Sequence, residues 1–252
     1  MSIPKLDTVQ YEPFYAWFFA VTAPMLLLND SSQLNEIWMY ESNKNRTLEE
    51  SREGIDESWG IKSRQEHIET INRLINLDVH GHGIRDAFDR IAFSGPQELD
   101  ELEQRMTNEQ QRNEFRYHRM TYDLVGDARF FGFDLARASF LTRHATILQW
   151  LSEEEILFYL SVIAHRVQQL FPDWDTYHKS YVLGRNWWCY TVEDYGPELI
   201  LNKGDFGGFN AFFERLTQPR APVWSSLPFD MVLPRYEAPA SLFEQEQEGS
   251  EA

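Results

Sequence analysis

The stretch that decides the fold is residues 132–188, which read GFDLARASFLTRHATILQWLSEEEILFYLSVIAHRVQQLFPDWDTYHKSYVLGRNWW. Its apolar residues follow a helical period and predict three consecutive helices. The first of them is apolar over most of its circumference, because Phe133, Phe140 and Ile147 point in different directions around it. A helix that is apolar on every side is typical of a core element, so we expect this one to lie at the centre.

The second helix of the stretch begins at a capping box, with Ser152 three residues before Glu155. The carboxylates of Glu153–Glu155 suit the positive end of a helix dipole, which explains them without any catalytic role. Pro172 ends the helix. Between these bounds one apolar stripe predicts a single buried face, formed by Ile156, Leu160, Ile163, Val167 and Leu170.

Further helices are predicted on both sides of this stretch. Ser63 and Glu66 have the spacing of another capping box, for a helix expected to end near residues 81–83. Shorter helical patterns cover residues 86–93 and, as one helix or a pair, residues 97–123. Residues 14–28 predict a buried helix or two half-helices, because Pro24 lies inside them. The best strand candidate is Thr191–Leu201.

The predicted fold is therefore mainly α, a single compact multi-helix domain with an N-terminal helical extension and few or no short strands. We expect residues 1–45 to form a helical segment that packs on the main body, and residues 55–235 to form that body. A polar stretch around residues 41–57 predicts a linker between them. Residues 237–252 are rich in Glu and lack basic residues, which is typical of a flexible acidic tail.

Charge and cysteine content limit the partners and the compartment. With 23 basic against 40 acidic residues, the formal net charge is −17, so we expect no nucleic-acid partner and favour a basic protein as partner. The single cysteine allows no intrachain disulfide, which fits the cytoplasm. The apolar run at 14–28 is shorter than the roughly 20 residues that a membrane span needs, and no basic segment precedes it as in a signal peptide.

Several motifs in this chain resemble the uncharacterised bacterial family known as domain of unknown function 1266. They are Phe133–Arg137, Ser152–Glu155, Phe171–Trp174, Tyr181–Trp188 and the closing segment Pro222–Phe229. Trp59 with Arg64, and Gly81 with His82, resemble the N-terminal half of the family. The resemblance covers roughly residues 55–230, and it departs at Ala136, where the family usually has Gly. It implies one helical domain, and it implies no activity.

The strongest polar pattern combines two of the predicted helices. Asp134 and Arg137 lie on one stripe of the central helix. The third helix carries its own stripe of aromatic and polar residues, namely Trp174, Tyr177, His178, Tyr181, Arg185 and Trp188. A structural ion pair and core packing are the simpler explanation, because a buried charge needs a partner. The alternative is an anion site, in which Arg137 and Arg185 converge with Tyr181 and Asp134 orients the guanidinium.

Metal binding is not predicted. Asp78, His80 and His82 are suitable metal ligands, but they stand at a predicted helix end, where histidines also favour the negative dipole. No second ligand motif completes a coordination shell, so we expect no metal and no cofactor.

Two functions remain open from the sequence. We favour an acidic, non-enzymatic protein-binding module, of immunity (toxin-neutralising) or adaptor type, because the chain has a strong negative charge and no catalytic set. The alternative is an enzyme or a binder of small anions or nucleotides that uses the Asp134, Arg137, Tyr181 and Arg185 cluster, with a contribution from His82. Trp59 and Arg64 fit either function.

Overall fold

The computed structural model describes residues 13–28, 47–77, 79, 84–193, 195–201 and 227–243. These residues contain helices, two short 3-10 turns and connecting segments, and no strand. The α-helices are α1 Pro13–Leu28, α2 Leu48–Trp59, α3 Arg64–Ile75, α4 Arg85–Phe93, α5 Pro96–Arg105, α6 Glu109–Val125, α7 Phe131–Leu148, α8 Glu153–Leu170, α9 Trp174–Thr191 and α10 Glu198–Leu201. The mainly α prediction is confirmed.

Helix α7 lies at the centre, as its apolar circumference predicts. It packs against α1, α2, α3, α8 and α9. Apolar side chains on different sides of it, such as Leu135 and Leu141, are fully buried, and so are the charged side chains of Asp134 and Arg143. Each neighbouring helix therefore buries one face against a helix that is itself buried over most of its circumference.

Helices α7 and α9 approach closely because each has a glycine at the contact. A Cβ atom on Gly132 would lie 2.7 Å from the carbonyl oxygen of Tyr177, and one on Gly184 would lie 2.7 Å from the Cβ of Phe133. Ser180 on α9 joins the two helices, because its Oγ accepts from the amide of Gly132 and donates to the carbonyl of Arg129, both at 2.8 Å. These contacts place the N-terminal half of α7 directly against α9.

Helix α1 is one continuous helix, so the alternative of two half-helices is wrong. Pro24 lies inside it, and most of its side chains from Trp17 to Leu26 are buried. Polar contacts fix it to the core: the hydroxyl of Tyr177 donates to the carbonyl of Val21 at 2.7 Å, and the hydroxyls of Thr22 and Ser139 hydrogen-bond to each other. The N-terminal apolar run is therefore part of the main core.

Helix ends agree with the sequence in most places and differ in two. The capping box of Ser152 and Glu155 is present at the start of α8. The prediction of a linker through residue 57 is wrong, because α2 begins after Thr47, which forms a capping box with Glu50. The helix that starts after Ser63 ends at Ile75, earlier than the predicted glycines.

Residues 227–243, which we call the C-terminal strap, lie across α1, α8 and α9. The indole Nε1 of Trp17 donates to the carbonyl of Pro228 at 3.2 Å, and that of Trp174 donates to the carbonyl of Leu227 at 3.1 Å. The side-chain amide of Gln168 donates to the carbonyls of Phe229 and Met231. These bonds satisfy backbone groups of an irregular segment and hold it on the helices.

Helices α4, α5 and α6 form a smaller layer beside the core. Ile91, Leu99 and Phe115 make a separate apolar cluster there. The predicted stretch 97–123 is thus a helix pair, α5 and α6. The strand expected at Thr191–Leu201 is wrong, since Thr191 ends α9 and Glu198–Leu201 is helical.

Candidate functional site

The side chain of Arg137 is half-buried, and three aromatic rings flank its guanidinium. Its Cζ lies 4.3 Å from the ring centre of Trp59, 5.1 Å from that of Phe133 and 5.8 Å from that of Trp188. Rings within about 6 Å attract a cation, so three helices contribute to holding this charge. Burial lowers the pKa of Arg137, and the negative charge of Asp134 opposes that shift. We call Arg137 and these three rings the Arg137 cage.

Asp134, Tyr181 and Arg185 lie around the cage, as the sequence predicts for these positions. Asp134 is fully buried one helical turn before Arg137. Burial raises the pKa of the Tyr181 hydroxyl, and the charges of Arg185 and Arg137 act against this shift. The ring of Tyr181 also packs edge-on against Phe133 at 5.7 Å. The structure therefore brings together the cluster Asp134, Arg137, Tyr181 and Arg185, with Trp59 over it.

The contacts around the Arg137 guanidinium are made by the protein's own rings. Side chains of the protein itself cover the faces of the Arg137 guanidinium, and Asp134 has no solvent-exposed surface. An anion site needs a charge that a ligand can reach. Arg137 and Arg185 are half-buried, and the contacts that the described residues show for Arg137 are internal ones, which join α2, α7 and α9.

Trp174 and His178 occupy another place, at the first turns of α9. Trp174 packs 4.7 Å from Trp17 and 5.0 Å from Phe229, between α1 and the C-terminal strap. His178 stacks on Trp174 with ring centres 6.2 Å apart, and burial lowers its pKa well below the usual value. A neutral, buried histidine stacked on Trp174 and beside the ring of Tyr177 is a packing residue here.

Arg64 lies at a third site, where it forms a largely buried ion pair with Glu155. Its Nη2 lies 2.6 Å from Oε1 of Glu155, and its Nε donates to the carbonyl of Trp150 at 2.9 Å. Ser241 of the C-terminal strap donates to the same Oε1 at 2.8 Å, and the amide of Ser152 donates to Oε2 at 2.7 Å. Dipole capping therefore explains only part of Glu155, which also joins α3, α8 and the strap.

The histidine-rich turn of the sequence lies outside the described residues, and so does His82. Among the residues that the structure describes, no group of three or more His, Cys, Asp or Glu side chains could hold a metal ion. Cys189 is buried, and burial raises the pKa of its thiol. A raised thiol pKa disfavours the reactive thiolate.

Sequence reasoning missed three buried polar side chains. Arg143 is fully buried, with its Cζ 5.2 Å from the ring centre of Phe19. Desolvation lowers the pKa of His67 and of His118 to about 4. The ring of His67 donates from Nε2 to the carbonyl of Leu141 at 3.0 Å. The signal for Arg143 was present, because any charge on a helix that is apolar on all sides must become buried.

Carboxylates on the surface differ in whether they have partners. On α5, Asp100 and Glu103 pair with Arg119 and Arg116 of α6 at 2.6 and 2.5 Å. On α2, the exposed residues Glu49, Glu53 and Glu57 follow one another at four-residue spacing, and within the described part of the chain none of them forms an ion pair. We call these three residues the α2 acidic face.

Comparison with known proteins identifies the family. A family model described as "Protein of unknown function (DUF1266)" matches residues 54–229. The chain belongs to this family. The matched region begins within α2, covers α3 to α10 and reaches the first residues of the C-terminal strap.

Two relatives from Escherichia coli K12 are also similar to this chain. One is "Uncharacterized protein YbeU", 27% identical over 230 residues, which are 89% of this chain and 94% of that protein. The other is "Uncharacterized protein YbeR", 31% identical over 147 residues, which are 58% of this chain and 61% of that protein. No solved structure matches. Within the described residues, no helix has the length and apolar character needed to cross a bilayer.

Proposed function

We propose that this protein is a non-enzymatic binding module whose α2 acidic face docks a basic protein partner, in an immunity (toxin-neutralising) or adaptor role. The observation that carries this proposal is the contrast between α2 and α5. On α5, Asp100, Glu101 and Glu103 have arginine partners, whereas Glu49, Glu53 and Glu57 have none in the described part of the chain.

The α2 acidic face costs stability instead of adding to it. Like charges four residues apart destabilise a helix by about 0.2–0.5 kcal/mol for each pair. Arg52 is the basic residue next to them on α2. It is exposed, but its guanidinium is engaged at the end of α7, where it donates to the carbonyl of Leu148 and lies 5.6 Å from the ring centre of Trp150. A row of unneutralised carboxylates is suited to a partner that brings its own lysines and arginines.

The Arg137 cage contacts rings of the protein itself, which supports a structural role over an enzymatic one at this cluster. The charged groups of this cluster contact side chains of the protein itself. We therefore expect a partner to bind at the exposed acidic residues of the outer surface. We also propose a cytoplasmic location, which a single buried cysteine favours.

The test is capture of partners by immobilised protein from a lysate of the source cells, at low and high salt. The variant E49Q/E53Q/E57Q removes the α2 acidic face, and the variant D123N/D127N/E193Q removes three exposed charges elsewhere. We expect one basic protein, retained in stoichiometric amount by the wild type and by the second variant, and lost with the first variant. High salt should release it, because screening weakens exposed charge pairs.

The opposite pattern would count against the proposal. If E49Q/E53Q/E57Q retains the same proteins as the wild type, the α2 acidic face is not the docking surface. If no basic protein is retained at low salt by any form, the binding role itself is wrong. Circular dichroism of both variants checks that their helical content is unchanged.

A further inference from the structure

A groove of about 500 Å³ lies between α8 and the C-terminal strap, away from the Arg137 cage. The end of α3 closes one side of it through Ile75 and Asn76. Its lining combines cationic, polar and aromatic side chains, including Arg166, Arg235, His165, Gln169, Phe158 and Tyr236. A volume of this size is within the range of small-molecule sites.

The groove is basic although the chain as a whole is strongly acidic. Arg166 comes from α8 and Arg235 from the strap, and the two line the same space. Neither guanidinium forms an ion pair within the part of the chain that the structure describes, whereas arginines such as Arg64, Arg116, Arg119 and Arg129 do. In a chain with a net charge of −17, this groove brings two arginines together, and neither has a carboxylate partner among the described residues.

The walls of the groove are held in place by bonds on both sides. The amide of Tyr236 donates to Oγ of Ser161 at 3.4 Å. Earlier in the strap, Gln168 binds two carbonyls, and later Ser241 binds Glu155. The hydroxyl of Tyr236 also hydrogen-bonds to Tyr15, and burial together with Tyr15 raises the pKa of Tyr236 to about 12. The strap therefore presents Arg235 from a fixed backbone, and a preformed site loses little entropy on binding.

We propose that this groove binds a small aromatic organophosphate, of the size of a nucleoside monophosphate. The inference is independent of the α2 acidic face, since the two surfaces share no residue. Guanidinium groups bind phosphate oxygens through paired, charge-assisted hydrogen bonds. His165 adds a further polar group, and its Nδ1 is already used as a donor to the carbonyl of Ser161 at 2.8 Å.

We infer that the ligand has an aromatic group because aromatic side chains form part of the groove's remaining lining. Phe158 of α8 and Tyr236 of the strap give the groove flat apolar surface beside the two arginines. Aromatic rings pack favourably on such surfaces, and Asn76 and Gln169 can hydrogen-bond to polar atoms at a ring edge. Inorganic phosphate would use only the cationic part of the groove.

Isothermal titration calorimetry of the full chain at low salt tests the proposal with four probes. These are adenosine monophosphate, phenyl phosphate, adenosine and inorganic phosphate. We expect both aromatic phosphates to bind at least tenfold more tightly than inorganic phosphate, and adenosine not to bind measurably. The variant R166Q/R235Q should weaken the binding of adenosine monophosphate at least tenfold.

The control variant R90Q/R105Q removes two exposed arginines on α4 and α5. It gives the chain the same net charge as R166Q/R235Q, so the long-range repulsion of an anion is equal in the two variants. We expect it to bind adenosine monophosphate within twofold of the wild type. The variant F158L should lower the affinity for both aromatic phosphates and leave that for inorganic phosphate unchanged.

Three results would overturn the proposal. The first is the absence of binding of either aromatic phosphate at millimolar concentration. The second is an equal loss in the two arginine variants, which would show a general effect of charge. The third is equal affinity for inorganic phosphate and adenosine monophosphate, which would show that the groove does not recognise the aromatic part of the ligand. Thermal unfolding of each variant confirms that it is folded.

Discussion

Charged side chains occupy two contrasting settings in this molecule. On α7, Asp134 and Arg143 have no exposed surface, and Arg137 is flanked by three aromatic rings. Between α5 and α6, Arg119 and Asp100 form an ion pair of 2.6 Å with both side chains partly in water. The two settings have similar chemical groups but different dielectric surroundings, so the same substitution should have very different effects in each.

The difference shows how a small number of charges can specify the arrangement of a large apolar core. Removing the partner of a buried charge costs much stability, because the remaining charge stays desolvated. Removing the partner of an exposed charge costs little, because water solvates the remaining charge. The cage around Arg137 takes Trp59 from α2 and Trp188 from α9, so it depends on how both helices are placed against α7. The α5–α6 pair has no such requirement, and its ion pairs add to a contact that the apolar cluster already makes.

The largest expected effect comes from breaking the buried charges one at a time. Asp134→Leu or Arg137→Met alone should lower the free energy of unfolding by about 3–5 kcal/mol, because each leaves the other charge desolvated. The double variant should lose much less, since both charges go and Met retains packing against Trp59. Urea unfolding of the three variants measures this. Single variants as stable as the wild type would mean that these charges do not brace the core.

Acid should destabilise the core through its buried histidines, with a somewhat smaller effect. In the folded state the pKa of His118 is lowered to about 4 from the usual 6.5, so the unfolded chain takes up the proton first. Stability therefore falls as the pH drops from about 6.5 towards 4. For His118 alone the loss at pH 4.5 is about 2–3 kcal/mol. His67 has the same direction of shift.

The variant His118→Phe isolates this contribution. His118 lies among Phe88, Phe130 and Trp187, with ring centres 5.6, 6.3 and 4.5 Å away, so Phe fits the apolar surroundings. We expect it to reduce the difference between the unfolding free energies at pH 7 and pH 4.5 by about 2 kcal/mol. Leu99→Ala, in the separate apolar cluster of α4–α6, is the control, and it should lower stability equally at both pH values. An unchanged difference in His118→Phe would contradict the assignment.

The α7–α9 crossing should tolerate no added volume. In Gly132→Ala the new methyl group would meet backbone atoms of Tyr177 and Tyr181 at 2.7 and 2.8 Å. The helices would have to move apart, at a cost of about 2 kcal/mol. Gly95→Ala is the matched control, because nothing lies within 4 Å of its Cβ position and its φ of −72° suits any residue. Thermal unfolding compares the two, and equal melting temperatures would refute the close contact.

Much of the fold follows from periodicity and caps. These are local patterns in the sequence. The apolar residues around α7 predict a central helix, the capping box at Ser152 predicts where α8 begins, and the single apolar stripe of α8 predicts its buried face. The helix α2 was missed because its exposed carboxylates resemble a linker, although Thr47 and Glu50 carry the capping-box signal. The strap was missed because irregular segments have no period, and tertiary hydrogen bonds determine their course.

The candidate site was predictable as a set of residues but not as a geometry. Spacing places Asp134 and Arg137 on one stripe of α7, yet it cannot show that Trp59, far away in sequence, covers the guanidinium. The partner of Arg64 is likewise 91 residues away, so neither helical period nor capping rules could find it. Arg166 and Arg235 were not singled out at all, because each alone is an ordinary surface arginine.

The smallest loss of stability is expected at the exposed ion pair between Arg119 of α6 and Asp100 of α5. Arg119→Gln removes an ion pair in which Asp100 is 59% exposed, and solvent-exposed pairs contribute at most about 1 kcal/mol. We expect a loss below that value, decreasing further at 1 M salt because screening already weakens the pair. Leu99→Ala in the same layer should cost more, since Leu99 is buried against Ile91 and Phe115. If Arg119→Gln instead cost as much as Asp134→Leu, surface ion pairs would hold this layer as strongly as buried charges hold the core.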